Sequence, residues 1–379
     1  MDFSTLCIHA ASKRQDPTGA VSVPIYQSAT FAHPAVGQST GYDYSRSQNP
    51  TREHLEKAMA ALENGVDALA FSTGMAAMTA LMELFSPGEH IVASDDLYGG
   101  SHRLFSTISI KNGISFDYVD SSSIDSLAAC LTEKTRAIFI ETPTNPMMKI
   151  TDIAAAAKLA AERGILLIVD NTFLTPYLQK PLDLGADIVV HSGTKYLGGH
   201  NDTLAGFLVA KNKELGERLR MIHMTTGACL SPLDSWLIIR GIKTLAVRLE
   251  RQQASAMTLA HWLSAQARIR KVFYTGLPTH PGHHLSQRQS SGFGAMLSFE
   301  TDTEATAIRL LDRVSLIQYA ESLGGTESLI TYPMLQTHAS IPEQERLDRG
   351  INARLLRLSV GLEHPDDLIA DLKQALEED

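Results

Sequence analysis

The chain has 379 residues, more than one small core requires, so its length predicts two packed domains. Apolar residues make up 44% and charged residues 20% of it, which is typical of a globular protein. The formal net charge of −9 and the absence of a basic stripe argue against a nucleic-acid partner. The cysteines, Cys7, Cys130 and Cys229, are odd in number and widely spaced, which favours a reduced compartment over a disulfide framework or a zinc site.

The N-terminal residues MDFSTLCIHAASKRQD lack a basic start followed by an apolar run, so no signal peptide is predicted. The uncharged stretch at 68–82 contains Ser, Thr and Gly and is shorter than the roughly 18 apolar residues that a membrane span needs. We therefore expect a cytoplasmic protein without membrane contacts.

The first part of the chain, residues 1–50, is rich in Gly, Ser, Gln and Pro and lacks clear periodicity, which predicts an extended arm. The tripeptide NPT (49–51) marks the start of a helix. In this helix Leu55, Met59 and Leu62 recur at helical spacing, so they form its apolar face.

Beyond Asn64-Gly65, short apolar runs alternate with helical stretches. The runs lie at 67–71, 91–94, 137–141, 165–170, 187–191 and 206–210. Several are apolar without alternation, as in strands buried on both faces of a largely parallel sheet. Helices near 74–85 and 152–163 supply the crossovers, so this region is predicted to be α/β.

The character of the sequence changes near residue 245. A long charged helix at 242–266 leads into a region with fewer buried strands, one of them at 295–300, and the chain closes with an acidic helix at 365–378. We therefore expect three parts. They are the arm at 1–50, an α/β domain at 51–245 and a smaller α+β domain at 246–379.

Open α/β sheets bind ligands at the carboxyl ends of their strands. The run at 165–170 ends in Asp170, and the run at 187–191 is followed by Ser192-Gly193-Thr194-Lys195. Singly, Asp170 could cap a helix and Lys195 could lie in a solvated loop. Together they match the needs of pyridoxal phosphate, which requires a lysine for its Schiff base and an acid that keeps its pyridine nitrogen protonated. Desolvation would lower the pKa of that lysine and free its amine.

A phosphate site is predicted at STGMAA (72–77), between a strand and a helix, where free N–H groups and the helix dipole attract an anion. Gly74 allows close approach of the backbone, and the hydroxyls of Ser192 and Thr194 could add donors. Ordinary turn chemistry is the alternative for both segments. Tyr98, which precedes two glycines after the run at 91–94, is the candidate to stack on the ring.

Six motifs carry a family resemblance. They are YSRSQNPTR (44–52), ETPTNP (141–146), VDNTF (169–173), SGTKYLGGH (192–200), ESLGGTESL (321–329) and RLSVGLE (357–363). As a set they resemble the trans-sulfuration group of pyridoxal-phosphate enzymes, which includes cystathionine γ-synthase, cystathionine γ- and β-lyases and methionine γ-lyase. The resemblance covers nearly the whole chain. It implies the aspartate-aminotransferase-like fold type I, with a large, mostly parallel sheet flanked by helices and a smaller α+β C-terminal domain.

The resemblance also implies roles at the matching positions. Lys195 would form the internal aldimine and carry protons between substrate carbons, and Tyr98 would stack on the ring and take part in catalysis. The remaining cofactor-binding residues would be Gly74, Met75, Asp170, Thr172, Ser192 and Thr194, with Tyr44 and Arg46 supplied by a neighbouring subunit. The residues around the substrate carboxylate would be Asn145, Ser322 and Arg357. A shared site implies a homo-oligomer, usually a dimer of dimers.

Three positions bear on the amino-acid substrate. Glu321 matches an acid that meets the distal ammonium of cystathionine in γ-synthases and γ-lyases, Asp43 could assist from the opposite side, and Arg103 resembles the arginine that faces the distal carboxylate. Gly100 stands where methionine γ-lyases carry a cysteine. Glu321 could instead pair structurally, and Asp43 could simply be solvated.

These charges favour cystathionine chemistry over methionine cleavage. Some bacterial β-lyases share the acid at Glu321, so the charges do not separate the cystathionine enzymes from one another, and of these we favour γ-synthase or γ-lyase. Cystathionine β-lyase, O-acylhomoserine sulfhydrylase and methionine γ-lyase remain alternatives, and a non-catalytic protein that binds pyridoxal phosphate is an alternative of a different class. An aminotransferase of the same fold is disfavoured by the distal charges and the ESLGG segment. No metal site is predicted.

Overall fold

The computed structural model describes residues 1–11, 18–339 and 341–377, which form an α/β structure with two β-sheets. The strands of the first sheet are β1 (Asp67–Phe71), β2 (His90–Ser94), β3 (Ser115–Val119), β4 (Thr135–Glu141), β5 (Leu166–Asp170), β6 (Ile188–Ser192) and β7 (Gly206–Ala210). The strands of the second sheet are β8 (Ile269–Phe273), β9 (Met296–Thr301), β10 (Gln318–Tyr319), β11 (Leu329–Thr331) and β12 (Leu355–Ser359).

The helices surround both sheets. They are α1 (Phe3–His9), α2 (Pro50–Glu63), α3 (Gly74–Met82), α4 (Gly99–Arg103), a π-helix (Leu104–Ser109), α5 (Ile124–Ala129), α6 (Ile153–Arg163), α7 (Thr175–Leu178), α8 (Lys213–Thr226), α9 (Pro232–Ile242), α10 (Leu245–Ser264), α11 (His283–Gln289), α12 (Glu304–Arg313), α13 (Glu343–Asp348) and α14 (Pro365–Leu376). Within the described ranges, no helix is both long and apolar enough to cross a membrane.

The first sheet has the order β1-β7-β6-β5-β4-β2-β3, and among these described strands β7 alone runs opposite to the other six. Helices α2 and α8 pack on β1, and α3 packs on β6 and β7. Because both faces are covered, every residue of β2 and β7 is buried. The predicted class of a largely parallel α/β sheet is confirmed.

All six apolar runs predicted as strands are strands, and their ends agree to within two residues. In the first sheet, the strand that the sequence did not indicate is β3, which pairs with β2 at the edge of the sheet. Its sequence, SFDYV, alternates between exposed and partly buried side chains. An edge strand of this kind lacks the continuous apolar run that marks its neighbours.

The N-terminal region differs from the predicted extended arm, because α1 lies within it. The Asp2 carboxylate caps this helix by accepting a hydrogen bond from the Ser4 N–H, and the helix packs against α2 and α10 through the buried Cys7. Residues 12–17 of the predicted arm and residues 378–379 of the predicted acidic helix and C-terminal domain lie outside the described residues.

The second sheet has the order β10-β11-β12-β9-β8. Helices α10 and α12 pack on it, and α14 packs on these two helices. The long charged helix predicted at 242–266 is α10. The predicted domain boundary near residue 245 stays a prediction. Strand β12 and the loop before β11 face the carboxyl ends of the first sheet.

Candidate active site

A cavity of about 200 Å³ lies where β4, β5 and β6 end side by side. Glu141, Asp170 and Ser192 are the last residues of these strands and line the cavity. The loop before β11 and the strand β12 close its other side. The cavity brings together twelve of the predicted site residues, Gly74, Met75, Tyr98, Asn145, Asp170, Thr172, Ser192, Thr194, Lys195, Glu321, Ser322 and Arg357.

Lys195 projects into this cavity three residues after the end of β6. Its Nζ donates a hydrogen bond to Ser322 Oγ at 2.7 Å. Burial, helped by the positive charge of Arg357 and opposed by Glu321, lowers the pKa of Lys195 to about 8. About a tenth of this amine is therefore unprotonated at pH 7, far more than for an ordinary lysine, and the unprotonated form is the one that acts as nucleophile or base.

Ser322, the partner of Lys195, has a left-handed backbone with φ +90°. A non-glycine residue pays conformational strain there, and such strain concentrates at functional sites. Two residues later, a Cβ at Gly324 would lie 2.6 Å from the backbone N of Tyr196. This loop is thus pressed directly against the segment that carries Lys195.

Asp170 ends β5 and is held by Thr172. The N–H of Thr172 donates to Asp170 Oδ1 at 3.0 Å, and Thr172 Oγ1 accepts from the N–H of Ser192 at 2.8 Å. Burial raises the pKa of Asp170, while Thr172 and the nearby His191 oppose the rise. A buried carboxylate at a strand end is stabilised when a bound group offers it a cation or an N–H donor.

An anion cradle lies at the N-terminus of α3. Thr73 is the N-cap, and its Oγ1 accepts from the N–H of Ala76 at 2.9 Å. Among the described residues, the N–H groups of Gly74 and Met75 have no such partner, so they remain available to an anion. A Cβ at Gly74 would lie 3.2 Å from Ser192 Oγ and would narrow the cradle.

Arg357 and Asn145 form a second polar group in the cavity. Arg357 Nη1 donates to Asn145 Oδ1 at 2.9 Å, and Nη2 donates to the carbonyl of Ser322 and to Thr331 Oγ1. Arg357 is 2% exposed, and burial lowers its pKa to about 10, so it stays charged near neutral pH. Its Nε–H is buried without a partner in the described part of the chain. This fixed guanidinium suits a carboxylate.

Glu141 is a site residue that the sequence analysis did not single out. It ends β4, pairs in register with Asp170, and its Oε2 accepts from the N–H of Tyr98 at 2.9 Å. Burial, together with the negative charge of Asp170, raises the pKa of Glu141 well above its usual range. The sequence did contain a signal for it, because Glu141 ends an apolar run in the same way as Asp170 does.

Four predicted residues lie outside the cavity. Arg46 Nη1 donates to the carbonyl of Met224 at 2.7 Å, and its guanidinium lies 5.5 Å from the centre of the Tyr44 ring. Asp43 lies 3.2 Å from His33 Nε2, and Arg103 is exposed at the end of α4. The roles implied for these four residues stay predictions.

The lining of the cavity fits pyridoxal phosphate. A partly buried amine, a carboxylate at a strand end and an anion cradle meet in one space, and Tyr98, 39% exposed, borders it. These are the groups that bind the aldehyde, the ring nitrogen, the phosphate and the ring face. Among the described residues, no cluster of three or more His, Cys, Asp or Glu side chains is placed to hold a metal ion.

Comparison with known proteins supports the same conclusion. Residues 4–377 match the model of the family described as "Cys/Met metabolism PLP-dependent enzyme". The chain is 49% identical to the cystathionine γ-lyase of Bacillus subtilis over 100% of both chains, and 48% identical to a cystathionine β-lyase of Lactococcus lactis over 99% of both.

Its fold matches the crystal structure of cystathionine γ-synthase from Xanthomonas oryzae in complex with cystathionine. The TM-score is 0.97 at 42% identity, covering 99% of this chain and 98% of that one. The protein is therefore an enzyme that uses pyridoxal phosphate and acts on a small amino-acid substrate. It belongs to the family of pyridoxal-phosphate-dependent enzymes of cysteine and methionine metabolism.

Proposed function

We propose that this enzyme makes or breaks the carbon–sulfur bond of cystathionine at its γ carbon, as a γ-lyase or γ-synthase, with Lys195 as the Schiff-base residue and mobile base. The observation that carries the proposal is the meeting of Lys195, Asp170 and Arg357 in one cavity with Glu321 at its edge. The similar proteins include a γ-lyase and a γ-synthase bound to cystathionine.

The cofactor supplies an electron sink for the negative charge that develops on the substrate carbon. Asp170 would face its ring nitrogen and Tyr98 its ring face. Gly74 and Met75 would hold its phosphate, together with Ser192 and Thr194. The chemistry left to the protein is therefore proton movement and orientation of the substrate.

Proton movement falls to the Lys195 amine. Elimination at a γ carbon needs proton removal first at the α carbon and then at the β carbon, so one mobile base must reach both positions. A pKa of about 8 lets this amine take a proton and return it near neutral pH. The 2.7 Å contact with Ser322 Oγ gives Nζ a defined position from which to start.

Orientation falls to Arg357 and Asn145, which would hold the α-carboxylate of the substrate. Glu321 is exposed and lines the cavity, where it would meet a distal ammonium group. Methionine has no such group, so a charged distal end favours cystathionine over methionine.

A product assay tests the proposal. Cystathionine should yield 2-oxobutyrate and cysteine if the enzyme is a γ-lyase, and an O-acylhomoserine with cysteine should yield cystathionine if it is a γ-synthase. Pyruvate and homocysteine from cystathionine would instead identify a β-lyase, which the 48% identity to the Lactococcus lactis enzyme keeps as the second candidate. Turnover of methionine alone would contradict the role of Glu321.

The proposal includes an active site shared between two copies of this chain. Tyr44 and Arg46 do not line their own cavity, and Tyr44 is 47% exposed. Large apolar side chains of the same segment, Val21 and Val36, are almost fully exposed in the single chain. A partner subunit that receives Tyr44 and Arg46 would also cover this segment.

Co-expression of Arg46→Ala chains with Lys195→Ala chains tests the shared site. Each variant alone should be nearly inactive, while the mixture should recover about a quarter of wild-type activity, because half of the dimers are hybrids with one intact site of two. No recovery in hybrids isolated with two different affinity tags would show that Arg46 and Lys195 serve the same subunit's site.

A further inference from the structure

His338 is a fully buried histidine in the segment between β11 and α13, at 1% exposure. Its Nε2 lies 3.2 Å from the carbonyl oxygen of Leu97 and 3.1 Å from that of Asn145. Both partners can only accept, so Nε2 carries the hydrogen and donates to both oxygens.

The other ring nitrogen is also engaged. Nδ1 lies 2.8 Å from Thr337 Oγ1, and in the neutral ring this hydroxyl donates to it. Burial and the nearby Arg357 lower the pKa of His338 to about 4, so the ring is neutral near neutral pH. The tautomer with hydrogen on Nε2 is therefore set by its surroundings.

The two carbonyls belong to two loops that border the cavity, the loop after β2 and the loop after β4. Leu97 directly precedes Tyr98, and Asn145 holds Arg357 through its side chain. The Nε2–H of His338 thus links the backbone next to Tyr98 with the backbone of Asn145, whose side chain holds Arg357.

Close packing supports the same connection. A Cβ at Gly99 would collide with the carbonyl oxygen of Thr337, so the segment lies directly against the backbone next to Tyr98. Thr337 itself lines the cavity. Arg346 also holds this segment, because its Nη1 donates a hydrogen bond to the carbonyl of Met334 at 3.2 Å.

The base of the two loops is held without His338. Asp96 accepts hydrogen bonds from the Thr144 hydroxyl and from the N–H of Met147. A change at His338 should therefore leave the loops folded and release only their ends at the cavity.

We propose that His338 is a positioning residue whose Nε2–H fixes the spacing between Tyr98 and the Asn145–Arg357 pair. The effect of His338 on activity rests on the proposed function, in which these residues hold the cofactor ring and the substrate carboxylate. His338 does not touch the reacting atoms, so its effect passes through the carbonyls of Leu97 and Asn145.

Two amide substitutions separate the hydrogen bond from the bulk of the ring. In His338→Gln the amide nitrogen can take the place of Nε2, whereas in His338→Asn it can reach only the place of Nδ1. We expect kcat/KM for cystathionine to fall at least about tenfold in His338→Asn, the effect of one lost buried hydrogen bond, and to stay within about threefold of wild type in His338→Gln.

Two readouts do not depend on turnover. Hydrogen exchange of residues 97–101 and 145–148 in the cofactor-free protein should be faster in His338→Asn and near wild type in His338→Gln. The visible circular dichroism of the bound cofactor reports the asymmetric surroundings of its ring. It should differ from wild type in His338→Asn and stay near wild type in His338→Gln.

Equal behaviour of the two variants would overturn the proposal. If both match wild type, the hydrogen bond positions nothing, and if both are impaired alike, the ring acts by packing. If the wild-type enzyme instead fails to act on cystathionine, the proposed function fails, while hydrogen exchange and circular dichroism still decide the role of His338.

Discussion

Replacing Lys195 with alanine is expected to lower turnover at least about 10⁴-fold, the upper range for loss of a positioned base. The loss should include the covalent attachment of the cofactor, because the amine in the cavity is that of Lys195. Borohydride treatment followed by mass spectrometry of the intact protein checks this. The wild type should gain the mass of one reduced cofactor per chain, and Lys195→Ala should gain none.

The folded state should tolerate the substitution. Burial disfavours the charged form of Lys195, as its lowered pKa indicates, so removal of the amine relieves a desolvation cost. The melting temperature of the cofactor-free variant should equal or slightly exceed that of the wild type. Lys213→Ala is the matched control, because the Lys213 side chain is 83% exposed on α8 and should affect neither measurement. A covalent adduct in Lys195→Ala would disprove the assignment.

The sequence alone predicted the centre of the sheet and the residues at its strand ends. Strands such as β6 are buried on both faces, so their sequences are continuous apolar runs, and the polar residues that follow them stand out. Lys195 and Asp170 could therefore be found from local pattern, and the cavity contains both. The family resemblance then added Arg357 and Asn145, which no periodicity would have joined.

The parts that the sequence did not reveal depend on contacts between distant segments. His338 contacts residues 193 and 241 positions away, and nothing in its own sequence neighbourhood indicates where its ring nitrogen points. Strand β3 was missed because its alternating edge pattern is weak, and α1 was missed because a short helix carries little periodicity. Tyr44 and Arg46 are a third kind of case, since their predicted target is a second chain.

Replacing Arg357 with lysine is expected to weaken the binding of an amino-acid carboxylate by about 10²-fold. Lysine keeps the charge but loses the planar fork, so it gives up one or two charge-assisted hydrogen bonds of about 1.5–3 kcal/mol each. The measurement compares glycine with methylamine, which differ by the carboxylate, through the change that each causes in the visible spectrum of the bound cofactor. Glycine affinity should fall while methylamine affinity stays unchanged.

The comparison isolates the carboxylate because any general damage to the cavity weakens both ligands. Equal losses for glycine and methylamine would therefore assign Arg357 a structural role through Asn145 and Thr331. Arg354→Lys is the matched control, since Arg354 precedes β12 on the same segment but does not line the cavity. A selective loss in Arg357→Lys alone would establish that this buried guanidinium, held on three sides by its own chain, keeps its remaining donor capacity for the substrate.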